Sequence, residues 1–186
     1  MGRDATTVDP LAGGTAAADV VADLTTRGQT LAAAESLTAG LFCATVAGVP
    51  GASAVLRGGL ITYATELKET LAGVPAEVLD SVGPVAADTA RAMAAGARRR
   101  CGADWGVALT GVAGPDAQEG HPVGEVWCGI AGPTPRHPGA DDDGAGGRGD
   151  GVVVKRVEVD PEAGRWGIRA ASVAAALELL AAELER

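Results

Sequence analysis

Three observations predict the α/β class, a single layered domain in which a mixed central sheet is flanked by helices. Over roughly the first two thirds of the chain, short apolar segments of strand length alternate with longer segments of helical periodicity. Two strand-like segments then follow one another with no helical segment between them, which gives a hairpin. The 186 residues suffice for one continuous core and are too few for two.

In chain order, residues 1–14 read as a flexible tail and 15–186 as the domain. Apolar residues at helical spacing over 15–27, with Val20, Val21 and Leu24 on one face, predict a first helix stopped by Gly28. A strand is expected over 30–34. It runs into Glu35-Ser36-Leu37-Thr38-Ala39-Gly40 and then a helix of small residues to 47, so Ser36 falls at a strand-to-helix turn. Residues 55–63 read as a second strand, 64–72 as a helix, and 76–81 as another, with Gly73 and Pro75 as punctuation. An Ala-rich helix over 86–100 precedes a buried strand over 105–109. That strand ends in the glycine-rich turn Thr110-Gly111-Val112-Ala113-Gly114-Pro115. Strands over 124–131 and 152–159 flank a Gly, Pro and Asp rich segment, 132–150, predicted as a mobile surface loop whose stretch 134–148 can be deleted without loss of the fold. The last helix covers 162–183.

Composition narrows the function classes. Aromatic residues make up 3% of a chain that is 47% hydrophobic, so Ala, Val and Leu must build the core and helices must pack closely. A net charge of −9 argues against a nucleic-acid partner, and the run Arg98-Arg99-Arg100 sits where a helix C-terminus favours positive charge. No segment reaches the ~18 apolar residues of a bilayer span, and no signal-peptide stretch is seen, so a cytoplasmic location with no membrane partner is expected. Cys43, Cys101 and Cys128 are odd in number and widely spaced, as small core residues are and a disulfide framework or metal clip is not. Asp141-Asp142-Asp143 reads as a solubilising run. The Ala-rich helical surface suits self-association into a homo-oligomer.

Histidine catalysis is disfavoured, because His121 and His137 both lie beside prolines in loop sequence. With no paired metal ligands on a helix, neither metal nor any other cofactor is expected. Serine with lysine remains. A serine at the turn after a strand is exposed at the strand end beside a helix N-terminus, whose N–H groups can hold an oxyanion or a phosphate. Ser36 and Thr38 both fit that place, and each fits equally the plain role of N-cap. Of fifteen basic residues only Lys68 and Lys155 are lysines, and Tyr63 is the only tyrosine. A chain this biased toward arginine keeps lysine where arginine fails, and a guanidinium cannot serve as a base. Tyr63 and Lys68 stand five apart across a strand-to-helix junction, close enough to share a cleft or to be a packed tyrosine near a surface lysine. The 110–115 turn suits a backbone that approaches a ligand closely, without matching a P-loop.

Three motifs, A-E-S-x-T-[AG]-G over 34–40, G-x-x-x-Y-x-x-x-x-K over 59–68 and T-G-x-A-G-P-D over 110–116, resemble in order and separation the CinA C-terminal domain family, whose members include nicotinamide-nucleotide amidases. The likeness runs from about residue 30 into the final helix. With few residues before it in this sequence, the companion nucleotide-hydrolysing domain of full-length CinA is not expected here. The resemblance implies hydrolysis of the carboxamide of nicotinamide mononucleotide (NMN) to nicotinate mononucleotide and ammonia, a step of pyridine-nucleotide salvage. It implies Ser36 as nucleophile, Lys68 as its base in a cleft that lowers the lysine's pKa, and Tyr63 as a residue ordering the pair. Backbone donors would come from Thr38, Ala39 and Gly40 and from Thr110, Gly111, Ala113 and Gly114. Where the family often has G-D-R, this chain reads Ala163-Gly164-Arg165, so Arg165, with Arg169 one turn later, is either a phosphate or carboxamide contact or a surface arginine. Leu37 replaces a residue often Cys or small. An amidase for another small amide, or an inactive binding module that keeps the fold, are the alternatives.

Overall fold

Five strands form one sheet in the order β2-β1-β3-β4-β5 in the computed structural model, which describes residues 9–133 and 151–186. The strands are β1 (Leu31–Glu35), β2 (Leu56–Ile61), β3 (Trp105–Gly111), β4 (Val126–Ala131) and β5 (Val152–Val157). β1 pairs in parallel with β2 and β3, whereas β3 with β4 and β4 with β5 are antiparallel. The sheet is therefore mixed as the alternation of segments implies, with helical crossovers joining the parallel strands and β4–β5 as the hairpin. The helices are α1 (Ala17–Arg27), α2 (Leu41–Ala47), α3 (Thr65–Thr70), α4 (Ala76–Val82), α5 (Ala87–Cys101) and α6 (Gly164–Leu184).

The two faces of the sheet are packed by different means. On one, Leu31, Val107, Leu109, Val126 and Ile130 meet Leu24 of α1, Phe42 of α2 and Ile168, Leu177 and Leu180 of α6 in a core of ordinary bulk. The other face presents Ala34, Ala108 and Ala131 to Met93, Ala94 and Ala97 of α5. There the glycines set the distance. A Cβ on Gly106 of β3 would stand 2.1 Å from the Ala94 carbonyl oxygen, and one on Gly129 of β4 2.5 Å from that of Ala90. The backbone of α5 thus lies directly on the sheet, which is how a chain nearly without aromatics reaches interior density.

Residues 9–14 depart from the expected tail. Leu11 N–H caps onto Asp9 Oδ1 (2.9 Å), Asp9 N–H donates to the Gly48 carbonyl (3.2 Å), and Ala12 is buried in the core. Apolar contact with the α2 side of the core holds this stretch, which moves the start of the packed domain upstream of residue 15. Residues 1–8 and 134–150 lie outside the described residues. With them go the rest of the tail, His137, the Asp141-Asp142-Asp143 run and the deletable loop. Of the segment 132–150 only its start is described, and Gly132 N–H donates to the Gly151 carbonyl at the far end (3.3 Å). No helix among the described residues is long and apolar enough to cross a membrane.

Candidate active site

Parallel register brings three strand ends to one place. Glu35 lies opposite Ile61 of β2 and Leu109 of β3, so the residue that follows it, Ser36, emerges between Thr62 and Thr110. Backbone bonds lock this arrangement: Ser36 N–H donates to the Leu109 carbonyl (2.9 Å) and Thr62 N–H to the Glu35 carbonyl (2.8 Å). Two residues beyond Tyr63 the chain turns into α3, whose one buried side chain is Lys68, at 2% exposure.

Lys68 Nζ stands 3.1 Å from Ser36 Oγ and donates to the Thr62 carbonyl at 3.0 Å. Removal from water lowers its pKa to about 8, against the opposing pull of the Glu119 and Glu66 carboxylates. A tenth or so of such a lysine is neutral near pH 7, enough to accept the serine proton while its own N–H stays on the Thr62 carbonyl. The pair opens into a pocket whose walls are Tyr63 and Thr65, Pro84 and Val85, Gly111 to Gly114, and Asp116, Gln118 and Arg165. Thiol chemistry has no comparable candidate there. Burial pushes the Cys128 thiol up to about 12, and burial together with the Glu35 carboxylate raises that of Cys43.

Of the residues singled out above, Ser36, Lys68, Tyr63, Gly111, Ala113, Gly114 and Arg165 line this pocket; Thr38, Ala39, Gly40 and Thr110 do not. The first turn is occupied from within. Glu35, fully buried, accepts hydrogen bonds from Gly40 N–H (2.9 Å) and Phe42 N–H (3.1 Å) at Oε2 and from Cys43 N–H (3.0 Å) at Oε1. The N-terminus of α2 therefore already holds its anion, and Gly40 supplies no donor to a substrate. Ala39 N–H likewise donates to the Ser36 carbonyl (3.1 Å). Neither Ser36 nor Thr38 is the cap of α2, because Glu35 does that work. Thr38 is fully buried with its hydroxyl unpartnered among the described residues. The amides of Leu37 and Thr38, the first two after the nucleophile position, donate to no partner among the described residues and are the donors that remain for an oxyanion. Thr110 is fixed elsewhere, its hydroxyl donating to the Pro84 carbonyl (2.6 Å).

Two arginines of α6 divide the remaining tasks. Arg169 donates from Nε to the Leu37 carbonyl (3.0 Å) and from Nη2 to the Thr38 carbonyl (2.8 Å), clasping the Ser36 turn from outside the pocket, so it is not a substrate contact. Arg165 stays at the rim. Its Nη1 donates to the Gly114 carbonyl and its Nη2 to Tyr63 Oη, each at 2.6 Å. Tyr63 thus orders Arg165, while the carbonyl of its neighbour Thr62 orders Lys68. Trp166, next to Arg165, is exposed on the outer surface. No group of three or more His, Cys, Asp or Glu side chains comes together among the described residues. His121 pairs instead with Glu125 (3.1 Å) at the base of the β3–β4 loop.

Sequence reasoning missed Glu35, Asp116 and Gln118. A signal for the first existed: an acidic residue at the end of the otherwise apolar Leu-Ala-Ala-Ala strand must be paired once buried, and the nearest unpaired donors belong to the helix that follows.

Fold and site together define the class, a mixed-sheet α/β domain carrying a buried serine–lysine pair at the ends of its parallel strands. The chain belongs to the CinA C-terminal domain family, whose model matches residues 14–139. A protein of Limosilactobacillus reuteri named as competence-damage inducible is 40% identical over 167 residues, which cover 90% of this chain and 37% of that one. One of the same name from Listeria welshimeri is 49% identical over 112 residues, 60% of this chain and 27% of the relative. The chain thus spans about a third of the length of these curated relatives. Among solved structures, the competence/damage inducible protein CihA from Agrobacterium tumefaciens superposes with a TM-score of 0.78 at 33% identity, covering 92% of this chain and 94% of that one. A CinA superfamily protein from Klebsiella pneumoniae gives 0.75 at 27% identity, with 95% and 99% covered.

Proposed function

We propose that this chain is an amidohydrolase that converts NMN to nicotinate mononucleotide and ammonia through Ser36 and Lys68. The observation that carries the reading is the 3.1 Å approach of a buried, base-competent Lys68 to Ser36 at the floor of an open pocket. The motif likeness supplies the substrate, and Arg165 at the rim offers a cation to its phosphate. Neutral Lys68 takes the Ser36 proton as Oγ attacks the carboxamide carbon. The resulting ammonium returns that proton to the amide nitrogen, the C–N bond of the adduct breaks, and ammonia departs while the acyl group stays as an ester on Ser36. Water, deprotonated by the same lysine, then hydrolyses the ester. Nothing in this sequence requires a cofactor.

Ammonia release from NMN by the purified protein is the test, followed from pH 6 to 10. A neutral base is the reactive form, so kcat/KM should climb about tenfold per unit at low pH and level off above about 8, where Lys68 has lost its proton. Ser36→Ala should abolish release. Absence of ammonia at every pH would favour a binding module that keeps the fold, and release from other amides but not NMN would move the substrate and keep the chemistry.

A further inference from the structure

The β3–β4 loop brings acidic side chains to the pocket, and they form no ion pair among the described residues. Asp116 lines the pocket, and Glu119, three residues on, lies close enough for its carboxylate to act on Lys68. Both are exposed, and neither has a side-chain partner among the described residues. The loop that carries them is a built hairpin. Gln118 N–H donates to the His121 carbonyl (3.1 Å) and His121 N–H to that of Gln118 (2.9 Å), Gly124 N–H donates to the Val112 carbonyl (2.9 Å), and the His121–Glu125 pair braces the base. At its tip Glu119 has φ of 50°, followed by Gly120 at 84°. Asn or Gly adopts that left-handed position more readily, so a glutamate there is held at a cost to folding.

Surplus negative charge next to a lysine that has to lose its proton opposes catalysis in the empty pocket. It becomes useful when the substrate brings a positive charge of its own. An amide attached to an N-substituted pyridinium has a full positive charge within one ring of the carbon under attack. We propose that Asp116 and Glu119 are specificity-determining residues, selecting a carboxamide on a cationic N-substituted pyridinium ring over the same amide on a neutral ring. This rests on the amidase reading above and names the feature of the substrate that the pocket selects. Coulomb's law gives the ring cation a second effect, since placed beside Lys68 it counters Glu119 and Glu66 and favours the neutral base in the complex. Tyr63 and the Arg165 cation complete the charged and titratable surroundings of the lysine.

The experiment compares NMN with its reduced dihydropyridine form, which keeps the phosphate, ribose and amide and lacks the ring charge. Calorimetric Kd values are measured for both ligands on Ser36→Ala, with and without Asp116→Asn and Glu119→Gln. Loss of the two carboxylates should weaken the cationic ligand by about three- to tenfold and the reduced one by less than about twofold, the difference shrinking with salt. On the active enzyme, Glu119→Gln should move the kcat/KM profile to lower pH. Should the double variant melt early, Glu119→Asn removes one charge in a residue suited to the left-handed backbone and is expected to shift the two ligands in the same unequal sense. Equal weakening of both ligands, or of neither, overturns the selector while ammonia release stands. No binding of either ligand together with no ammonia from NMN overturns the amidase reading and the selector with it.

Discussion

Two turns leave the sheet side by side, after β1 and after β3, and in sequence they promise the same thing: small residues, glycines and free backbone donors. Folded, they do opposite work. The 36–40 turn is held from inside, its helix end by Glu35 and its Leu37 and Thr38 carbonyls by Arg169, with the amides of Leu37 and Thr38 left open among the described residues. That leaves Ser36 as a rigidly mounted side chain. The 111–114 turn is an open wall of the pocket, tied to the rim by the bond from Arg165 to the Gly114 carbonyl. A glycine-rich turn at a strand end is thus not by itself an anion site. Whether it becomes one depends on whether the chain has already supplied the anion.

The largest effect expected from perturbing the first turn and its partner is on chemistry. Lys68→Arg should cut turnover by ~10²–10⁴, nearly as much as Lys68→Ala, because a guanidinium keeps its proton; an arginine variant within about tenfold of wild type would leave Lys68 a binding residue only. Next comes the anchor. Glu35→Ala leaves three N–H donors at the start of α2 without their acceptor and should lower stability by about 3 kcal/mol, read as a Tm fall of roughly 6–12 °C, with Glu35→Gln recovering part of it. An unchanged melt would mean that water replaces the carboxylate.

The second turn should answer more mildly. Arg165→Ala is expected to raise KM for NMN by about tenfold with kcat changed little, the pattern of an interaction made equally in ground and transition states. A fall in kcat at constant KM would put Arg165 in the chemistry instead. Smallest is Gly114→Ala, which places a side chain at φ of 79° with its Cβ 3.0 Å from Val123; about 1–2 kcal/mol of stability should be lost, measured by denaturant midpoint.

Much of this was legible in the chain. Gly28 ends α1 and Pro75 caps the start of α4, although α3 stops at Thr70, before Gly73; the scarcity of lysine singled out Lys68 together with Lys155, and of the two only Lys68 lines the pocket. Helix ends moved by one or two residues, as for α3, because capping and packing decide the last turn. Contacts between distant segments were not legible. The bonds from Arg169 to the Ser36 turn cross more than 130 residues of chain, and Thr38 and Thr110 have the right residue type at the right turn but point elsewhere once the strands are in register. Local pattern shows which residues could act; register and packing determine which of them face the same space.

The glycine contacts beneath α5 also constrain motion. A helix whose backbone rests on Gly106 and Gly129 is keyed to the sheet and cannot slide or roll over it without collision, so shear on that face is closed off. The opposite layer is cushioned by flexible side chains, and α6, which carries both arginines of the site, belongs to it. Any sliding between layers is therefore easier on the α6 side of the sheet, with α5 as the fixed bed.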